Sequence, residues 1–536
     1  MTRLDSIEEL KLALEDAKKI NQLYAEQLKT ATLEIKELQE MVSLLKKNLY
    51  GRSTEKAIPD NQLSLFEPAP APELDSEPPL PKPKVQVVVV KTHQRKKLSG
   101  RKKLILDQYP QRDIHHTLSE AEQVCQGCSH SLTDIGVTLT RRELEFVPAV
   151  LRCVNHYQHT YKCSGCSDNE PTDQLTKPAV PKAPLTNSFG SASLIAETIY
   201  QKYLLKVPAY RQVQHWKRLQ LPLTDSTICQ WHIKVCEYYL KPIYDALHHE
   251  LTSQAVAHID ETTFNVIKSE RQRTYYWVFQ SSKQIDRQIV YFAHRPGRSR
   301  EDFLSVVGDF KGYLHSDMYA VYQKLNEANV GIKVAGCWAH LRRKFHEALV
   351  PDPTSEALPN QILKEINELF ELERGWQSLS IEERQSKRQK TLKPKINHLY
   401  WKLSRYNKNL VHKGGLFYKA ISYALNHKEL FYTFLEDGRL EMSNNAAERS
   451  IKTLVIGRKN QLFTTSIAGA EAGGILLTLI ETAKRHQLEP QAYLTYLLTH
   501  LPNEPDSLHF KRERYLPWSD EVQAACRQKQ INLPAN

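Results

Sequence analysis

Two aspartates offer the chain its most reactive pattern. Asp260 lies in Ala255-Val256-Ala257-His258-Ile259-Asp260-Glu261-Thr262-Thr263-Phe264, and Asp317 in Gly312-Tyr313-Leu314-His315-Ser316-Asp317-Met318. Each follows a short run of apolar, β-branched and aromatic residues that reads as a strand. A carboxylate at a strand end beside a loop is either a metal ligand or a loop-capping residue. Its oxygens are hard donors suited to Mg²⁺, which takes octahedral oxygen coordination at about 2.0–2.1 Å. Two such ions about 3.5–4 Å apart can activate an attacking oxygen and stabilise a leaving one in phosphoryl transfer.

That chemistry calls for a third acid, and Glu448 is the best placed. It opens a helical pattern in Ser443-Asn444-Asn445-Ala446-Ala447-Glu448-Arg449, after the turn Asp437-Gly438-Arg439. Asn445 as N-cap with Glu448 three residues on also resembles a capping box. Spacing leaves both roles open.

The elements around the aspartates must bring them together. Residues 273–281 and 288–294 alternate as strands, 299–310 as a helix, and 312–318 as a fourth strand. This is the order of a ribonuclease-H-like core, in which acids from the first and fourth strands meet at one edge and hold divalent ions. Residues 352–436 are rich in Glu, Lys and Leu. An unstructured loop of that length is improbable, so a helical insertion is expected between the fourth-strand region and the Glu448 helix.

The chain has 536 residues, with 73 Lys and Arg against 61 acids, a net charge of +12. The excess favours a polyanionic partner over a merely solvated surface. No apolar run approaches the roughly 18 residues of a membrane span, and the amino terminus is charged throughout. A cytoplasmic protein with no membrane partner is expected. In a reducing compartment, CxxC pairs are metal ligands before they are disulfides. Cys125, Cys128, Cys163 and Cys166 form two such pairs and suit one tetrahedral structural Zn²⁺. Cys153 between them reads as a core residue, and His156 and His159 are alternative ligands.

Residues 4 to 50 lack Gly and Pro and carry a four-three seam from Leu10 through Leu49, the coiled-coil period. Either this helix self-associates or its wide apolar face packs elsewhere in the chain. Eight prolines over 57–84 impose an extended linker. A basic arm follows, with Lys91, Arg95, Lys96, Lys97, Arg101, Lys102 and Lys103, suited to phosphates without sequence preference. Helices over 185–250, with a turn at 221–227 capped by Thr224 or Asp225, fit a helix-turn-helix or an ordinary connector. Two further basic sets, Arg342, Arg343 and Lys344 in one and Arg449, Lys452, Arg458 and Lys459 in the other, are either phosphate contacts or solvated faces.

Several strings together resemble the transposases of the insertion sequence 66 family: HIDET, YLHSDMYAVY, GCWAHLRRKFHEA, DGRLEMSNNAAERSIK, IGRKNQLF and LIETAKRHQLEPQAYL. They are ordered, specific and span most of the chain. One departure is Ser443, where the family has an acidic residue. The resemblance implies a DDE-type transposase with Asp260, Asp317 and Glu448 as catalytic acids holding two Mg²⁺ or Mn²⁺ ions. Water and then a 3′-hydroxyl would attack phosphodiesters without a covalent protein–DNA intermediate. It also implies a zinc-binding domain and a leucine-zipper-like amino terminus.

The expected fold is an α/β ribonuclease-H-like core with a helical insertion, an N-terminal coiled-coil helix and a small zinc-binding domain. Its divisions are a coiled coil over 1–50, a linker and basic arm over 51–103, a zinc domain over 104–180, and a helical, helix-turn-helix-like region over 181–250. The catalytic core follows over 251–350 and 441–500, split by an insertion over 351–440, with a tail over 501–536. The expected partners are terminal inverted repeats, target DNA, a second copy of the chain through the N-terminal helix, and other element-encoded proteins. The location implied is the bacterial cytoplasm, at the nucleoid. The rivals are a non-catalytic zinc-containing DNA-binding regulator and a ribonuclease-H-like nuclease acting on RNA or hybrids.

Overall fold

The computed structural model of the chain describes residues 113, 137, 139, 142, 150–162, 175–271, 273–317, 331–349, 357–409, 414–504 and 512–527. The coiled-coil helix, the linker, the basic arm (Lys96, Lys97, Arg101, Lys102 and Lys103) and the four zinc cysteines lie outside the described residues. Described residues from Gln158 onward belong to one compact unit, and the few before it to a second.

The unit begins with a small antiparallel ribbon, β1 (Tyr161–Lys162) and β2 (Leu175–Thr176). Three helices follow: α1 (Ala192–Tyr203), α2 (Ala209–Arg218) and α3 (Asp225–Val235). Ser191 caps α1 by accepting the Leu194 N–H, and Thr224 caps α3 by accepting the Thr227 N–H. Trp231 and His232 of α3 are buried, with His232 Nε2 3.0 Å from the Thr198 hydroxyl. That face of α3 is therefore spent on packing. A π-helical turn (Cys236–Leu240) leads into α4 (Lys241–Thr252).

Among the described residues, five strands form the central sheet. β3 (Val256–Phe264), β4 (Thr274–Ser281) and β5 (Val290–Arg295) run as an antiparallel meander. Helix α5 (Arg300–Val307) opens with a capping box between Ser299 and Asp302 and stops at Gly308, whose φ of 56° suits glycine. It crosses to β6 (Gly312–Ser316), parallel to β3, and β7 (Ile332–Gly336) lies parallel to β6. The order across the sheet is β5-β4-β3-β6-β7.

β5 is an edge strand, and edge strands carry unpaired backbone groups. Helix α13 (Ile467–Arg485) meets them with side chains. Thr478 accepts the Phe292 N–H at 2.8 Å and Thr482 accepts the Val290 N–H at 3.2 Å. Gly474 allows the approach, since a Cβ there would stand 2.7 Å from the Phe292 carbonyl oxygen. Apolar residues of the sheet, α1, α3, α4, α13 and α14 (Pro490–His500) share one core. Tyr515 and Leu516 join that core, and the Tyr493 hydroxyl donates to the Tyr515 carbonyl. The tail around Leu516-Pro517-Trp518, with α15 (Asp520–Cys526), is thus part of the fold.

A second core holds α6 (Trp338–Glu347) against the inserted helices α7 (Leu358–Gly375), α9 (Lys393–Asn409), α10 (Leu416–Asn426) and α11 (Lys428–Tyr432), while the short α8 (Ile381–Lys387) is anchored by buried Arg384, which donates to the carbonyls of Gln377 and Gly438. Its keystone is Arg388, fully buried in a second π-helical turn (Arg388–Leu392). The guanidinium places all five N–H groups: two on Glu373 and three on the carbonyls of Phe434, Asp437 and Leu440. One buried cation therefore holds the segment that leads from the inserted helices back to α12 (Asn445–Gln461).

Candidate active site

β3 is buried from Val256 through Ile259, and Asp260 is its first partly exposed residue. The strand therefore opens to solvent at its carboxylate. β3 pairs with β6 through Val256–Tyr313, Ala257–Leu314 and His258–His315. Continued by two places, that register sets Asp260 beside Asp317, directly past the end of β6. Asp260 feels this crowding. Burial, then the negative charges of Glu261 and Asp317, with a further push from Glu448, raise its carboxyl to about 8 against an ordinary 3.8. The Glu261 N–H, donating to Asp260 Oδ1 at 2.9 Å, opposes the rise. Three acids distant in sequence thus share one field.

Glu448 reaches this place in the first turn of α12. The capping box expected from Asn445 and Glu448 is not formed: the helix begins one residue earlier than that motif requires, with Asn444 at the N-cap position and no side-chain cap bond. The Asn444 side chain is used elsewhere. Its Nδ2 donates to the Ile259 carbonyl at 2.8 Å, which leaves Oδ1 to accept from His258 Nδ1 at 2.9 Å. Buried Asn444 therefore pins the start of α12 to the strand that carries Asp260. Ser450 adds a second tie, donating to Gln280 Oε1 of β4 at 2.6 Å.

Beneath the aspartates lies a layer that motif reading missed. His258 and His315 are both fully buried, with rings stacked 4.7 Å apart. Each precedes an aspartate by two residues, so it shares that aspartate's strand face. The repeated His-x-Asp was the signal available in the sequence. Glu441 closes the layer. Its N–H donates to His315 Nε2 at 3.0 Å, and its carboxylate lies 3.5 Å from His258 Nε2. Burial works against ionisation of Glu441, but His258 outweighs it and holds the carboxyl down at about 2. Burial and His258 push His315 well below the usual histidine range, so its Nε2 is available to accept the Glu441 N–H.

On the other side of Glu448 stands the start of α6. Cys337 Sγ accepts the Asn444 N–H at 3.2 Å, and burial pushes its thiol up to about 11. His340 Nδ1 lies 3.7 Å from Glu448 Oε1. The Trp338 N–H donates to the Met442 carbonyl, and Trp338 Nε1 to that of Phe431, fixing α6 to the segment before α12.

The basic sets divide by what they touch. Arg449, Lys452 and Lys459 are exposed on α12, and their spacing places them in one stripe that starts beside Glu448. Arg343 and Lys344 are exposed on α6. Arg458 is turned inward, onto the Thr263 carbonyl and the hydroxyls of Thr262 and Thr263 at the end of β3. Arg342 donates to Asn367 of α7 at 2.7 Å.

The Transposase IS66 family model matches residues 187–472, more than half of the chain and all of the sheet and α12. The chain belongs to the IS66 transposase family. Three other matches agree: the zinc-finger binding domain of transposase IS66 over 122–167, the IS66 C-terminal element over 478–511, and the Transposase C of IS166 homeodomain over 37–114. Among curated relatives, the uncharacterised protein y4jD of Sinorhizobium fredii is 29% identical, over 74% of this chain and 78% of the relative. A second, y4hP, is 26% identical over 74% of each. The solved Drosophila P element transposase strand transfer complex is 14% identical, over 62% of this chain and 93% of that chain, with a TM-score of 0.20, below what a shared fold requires. The IS66 chain is thus an insertion-sequence DNA transposase with a zinc-finger domain. Among the described residues no helix is long and apolar enough to cross a membrane.

Proposed function

We propose that Asp260, Asp317 and Glu448 are the catalytic acids of this transposase, on a sheet of ribonuclease-H-like design, and that they hold two Mg²⁺ or Mn²⁺ ions. The observation that carries this is the β3–β6 register, which sets Asp260 beside Asp317, and the raised carboxyl of Asp260, pushed up by burial and by the charges of Glu261, Asp317 and Glu448, agrees with it. Three carboxylates that share one field, with Asp260 where β3 first becomes half-exposed, are a donor set that divalent cations suit. The strand order β5-β4-β3-β6-β7, with the first three antiparallel and the last two parallel to β3, supports the fold.

When bound, the ions activate the attacking oxygen and stabilise the leaving oxygen of a phosphodiester. The chain's residues set the geometry for that. β3 and β6 fix the two aspartates by register. Asn444 and Ser450 fix α12, and hence Glu448, against the sheet. Arg449, Lys452 and Lys459 form a path for DNA phosphates beside the acids, and Arg343 and Lys344 offer a second. Arg342 and Arg458, also expected at the DNA, act as struts in the reading the geometry supports.

Cys125, Cys128, Cys163 and Cys166 hold a structural Zn²⁺, and residues 1–50 bring copies of the chain together, in keeping with the zinc-finger and N-terminal family matches. The divisions over 104–180 and 351–440 then serve DNA binding and support of the acids. The test is cleavage of the element's own terminal DNA by the purified chain with Mg²⁺, and its loss in Asp260→Asn, Asp317→Asn and Glu448→Gln.

A further inference from the structure

Among the described residues, one cluster brings three potential metal-ligand atoms within 4.8 Å of one another: Cys337, His340 and Glu448. We propose that His340 Nδ1 is a nitrogen ligand to the divalent cation that Glu448 holds. This rests on Glu448 being a metal ligand and extends it, because the acids alone supply only oxygen.

His340 Nδ1 is buried and has no hydrogen-bond partner among the described residues. An unsatisfied buried nitrogen is costly and calls for an explanation. It faces Glu448 Oε1 at 3.7 Å, too far for a hydrogen bond. Two ligands on one octahedral ion with bonds of about 2.1 Å stand about 3 Å apart when adjacent and about 4 Å when opposite. The observed gap is somewhat wider than the adjacent spacing, so a small closure of the two side chains brings both atoms onto one ion. Both side chains are about one-quarter exposed, at 26% and 27%, which leaves the cluster open on one side.

The mounts of the two ligands are joined. His340 is in the first turn of α6 and Glu448 in the first turn of α12. The Asn444 N–H to Cys337 Sγ bond and the Trp338 N–H to Met442 carbonyl bond tie those two starts directly. Cys337 is fully buried and already accepts that N–H, and soft sulfur suits neither Mg²⁺ nor Mn²⁺. It is a positioning residue. An imidazole among carboxylates favours transition-metal ions over Mg²⁺, so the site should bind Mn²⁺ more tightly than Mg²⁺.

Pulsed electron paramagnetic resonance of the full chain loaded with Mn²⁺ reads this directly, independent of activity. A directly bound imidazole gives nitrogen modulation of the Mn²⁺ echo. The wild type should show it, and ¹⁵N-histidine labelling should change its pattern without any mutation. His340→Gln should remove it and weaken Mn²⁺ binding by roughly 10-fold or more, while Cys337→Ser retains it. Mn²⁺ bound in a Glu448-dependent way without nitrogen modulation overturns the ligand role of His340 and leaves the acids standing. Mn²⁺ binding that is unchanged in Glu448→Gln overturns the acid reading and this inference with it.

Discussion

His258 stacks on His315 with ring centroids 4.7 Å apart and planes 13° apart, in the layer next to Asp260 and Asp317. The stack sits where β3 pairs with β6, so it fixes the register that brings the aspartates together. Glu441 and Asn444 extend this layer to the start of α12. A single buried polar network therefore positions all three acids.

Asn444→Ala tests that network. It removes two buried hydrogen bonds and leaves His258 Nδ1 and the Ile259 carbonyl unpaired. Stability should fall by about 1–3 kcal/mol for each group left unsatisfied, measured by urea unfolding. Cleavage should fall further than folding explains, because Glu448 loses its tie to β3. An Asn444→Ala protein as stable and active as wild type would remove the network from the account.

The crowded Asp260 makes a prediction about pH. Its carboxyl stands at about 8 folded against 3.8 ordinarily. The stability it contributes is fully present below about pH 4 and is lost as pH rises toward 8, because the unfolded chain ionises first. Glu441, held down at about 2, acts in the opposite sense and only below its ordinary 4.5. Metal-free protein should therefore lose melting temperature between pH 5 and 8. Asp260→Asn should flatten that dependence, and Mg²⁺ or Mn²⁺ should restore wild-type stability at pH 8. A melting temperature that rises from pH 5 to 8 without metal in the wild type alone would contradict the field assigned to Asp260.

Arg388→Met should be far more damaging than an insertion residue distant from the acids suggests. It strands Glu373 and three carbonyls that the guanidinium now satisfies. Breaking a buried pair by removing one partner costs about 3–5 kcal/mol. Arg388→Lys should not rescue, since an ammonium cannot place five donors. Thermal unfolding of both variants checks this; a lysine variant as stable as wild type refutes the account.

The basic residues should separate by salt dependence. Changing Arg449, Lys452 and Lys459 to Ala should lower the slope of log affinity against log salt by up to about 0.9 per lost phosphate contact. Arg458→Ala and Arg342→Ala should leave the slope intact and lower stability instead. Equal slopes in all five variants would place the DNA elsewhere.

The first four strands of the central sheet were legible because alternation and β-branched residues mark them without help from the rest of the chain, whereas β7 was not read as a strand. Asp317 was legible just past the end of β6, but Asp260 lies inside β3, which continues to Phe264 against β4 beyond its pairing with β6. The role of Asn444 was not legible. A local spacing suggested a capping box at Asn445 and Glu448, but the tertiary partners His258 and Ile259 won the side chain. Arg388 was hidden among the solvated charges of its helix, since nothing local tells a buried arginine from an exposed one. Ala468-Gly469-Ala470 opens a helix because Ser466 caps α13 and β5 packs against that helix further on. Arg458 and Arg342 carried the right charge for DNA, yet their neighbours draw them inward.

The central claim is that Glu448, and not the nearby Glu441, completes the acid site. Glu441 is engaged with His258 and His315, whereas Glu448 faces Asp260 and His340. The decisive measurement is Mg²⁺-dependent cleavage of the element's terminal DNA by Glu448→Gln and Glu441→Gln, each shown to be folded. Glu448→Gln should bind the ends and lose cleavage by several orders of magnitude, with a far smaller loss in Glu441→Gln. Normal cleavage by Glu448→Gln, with cleavage abolished in a folded Glu441→Gln, would contradict it.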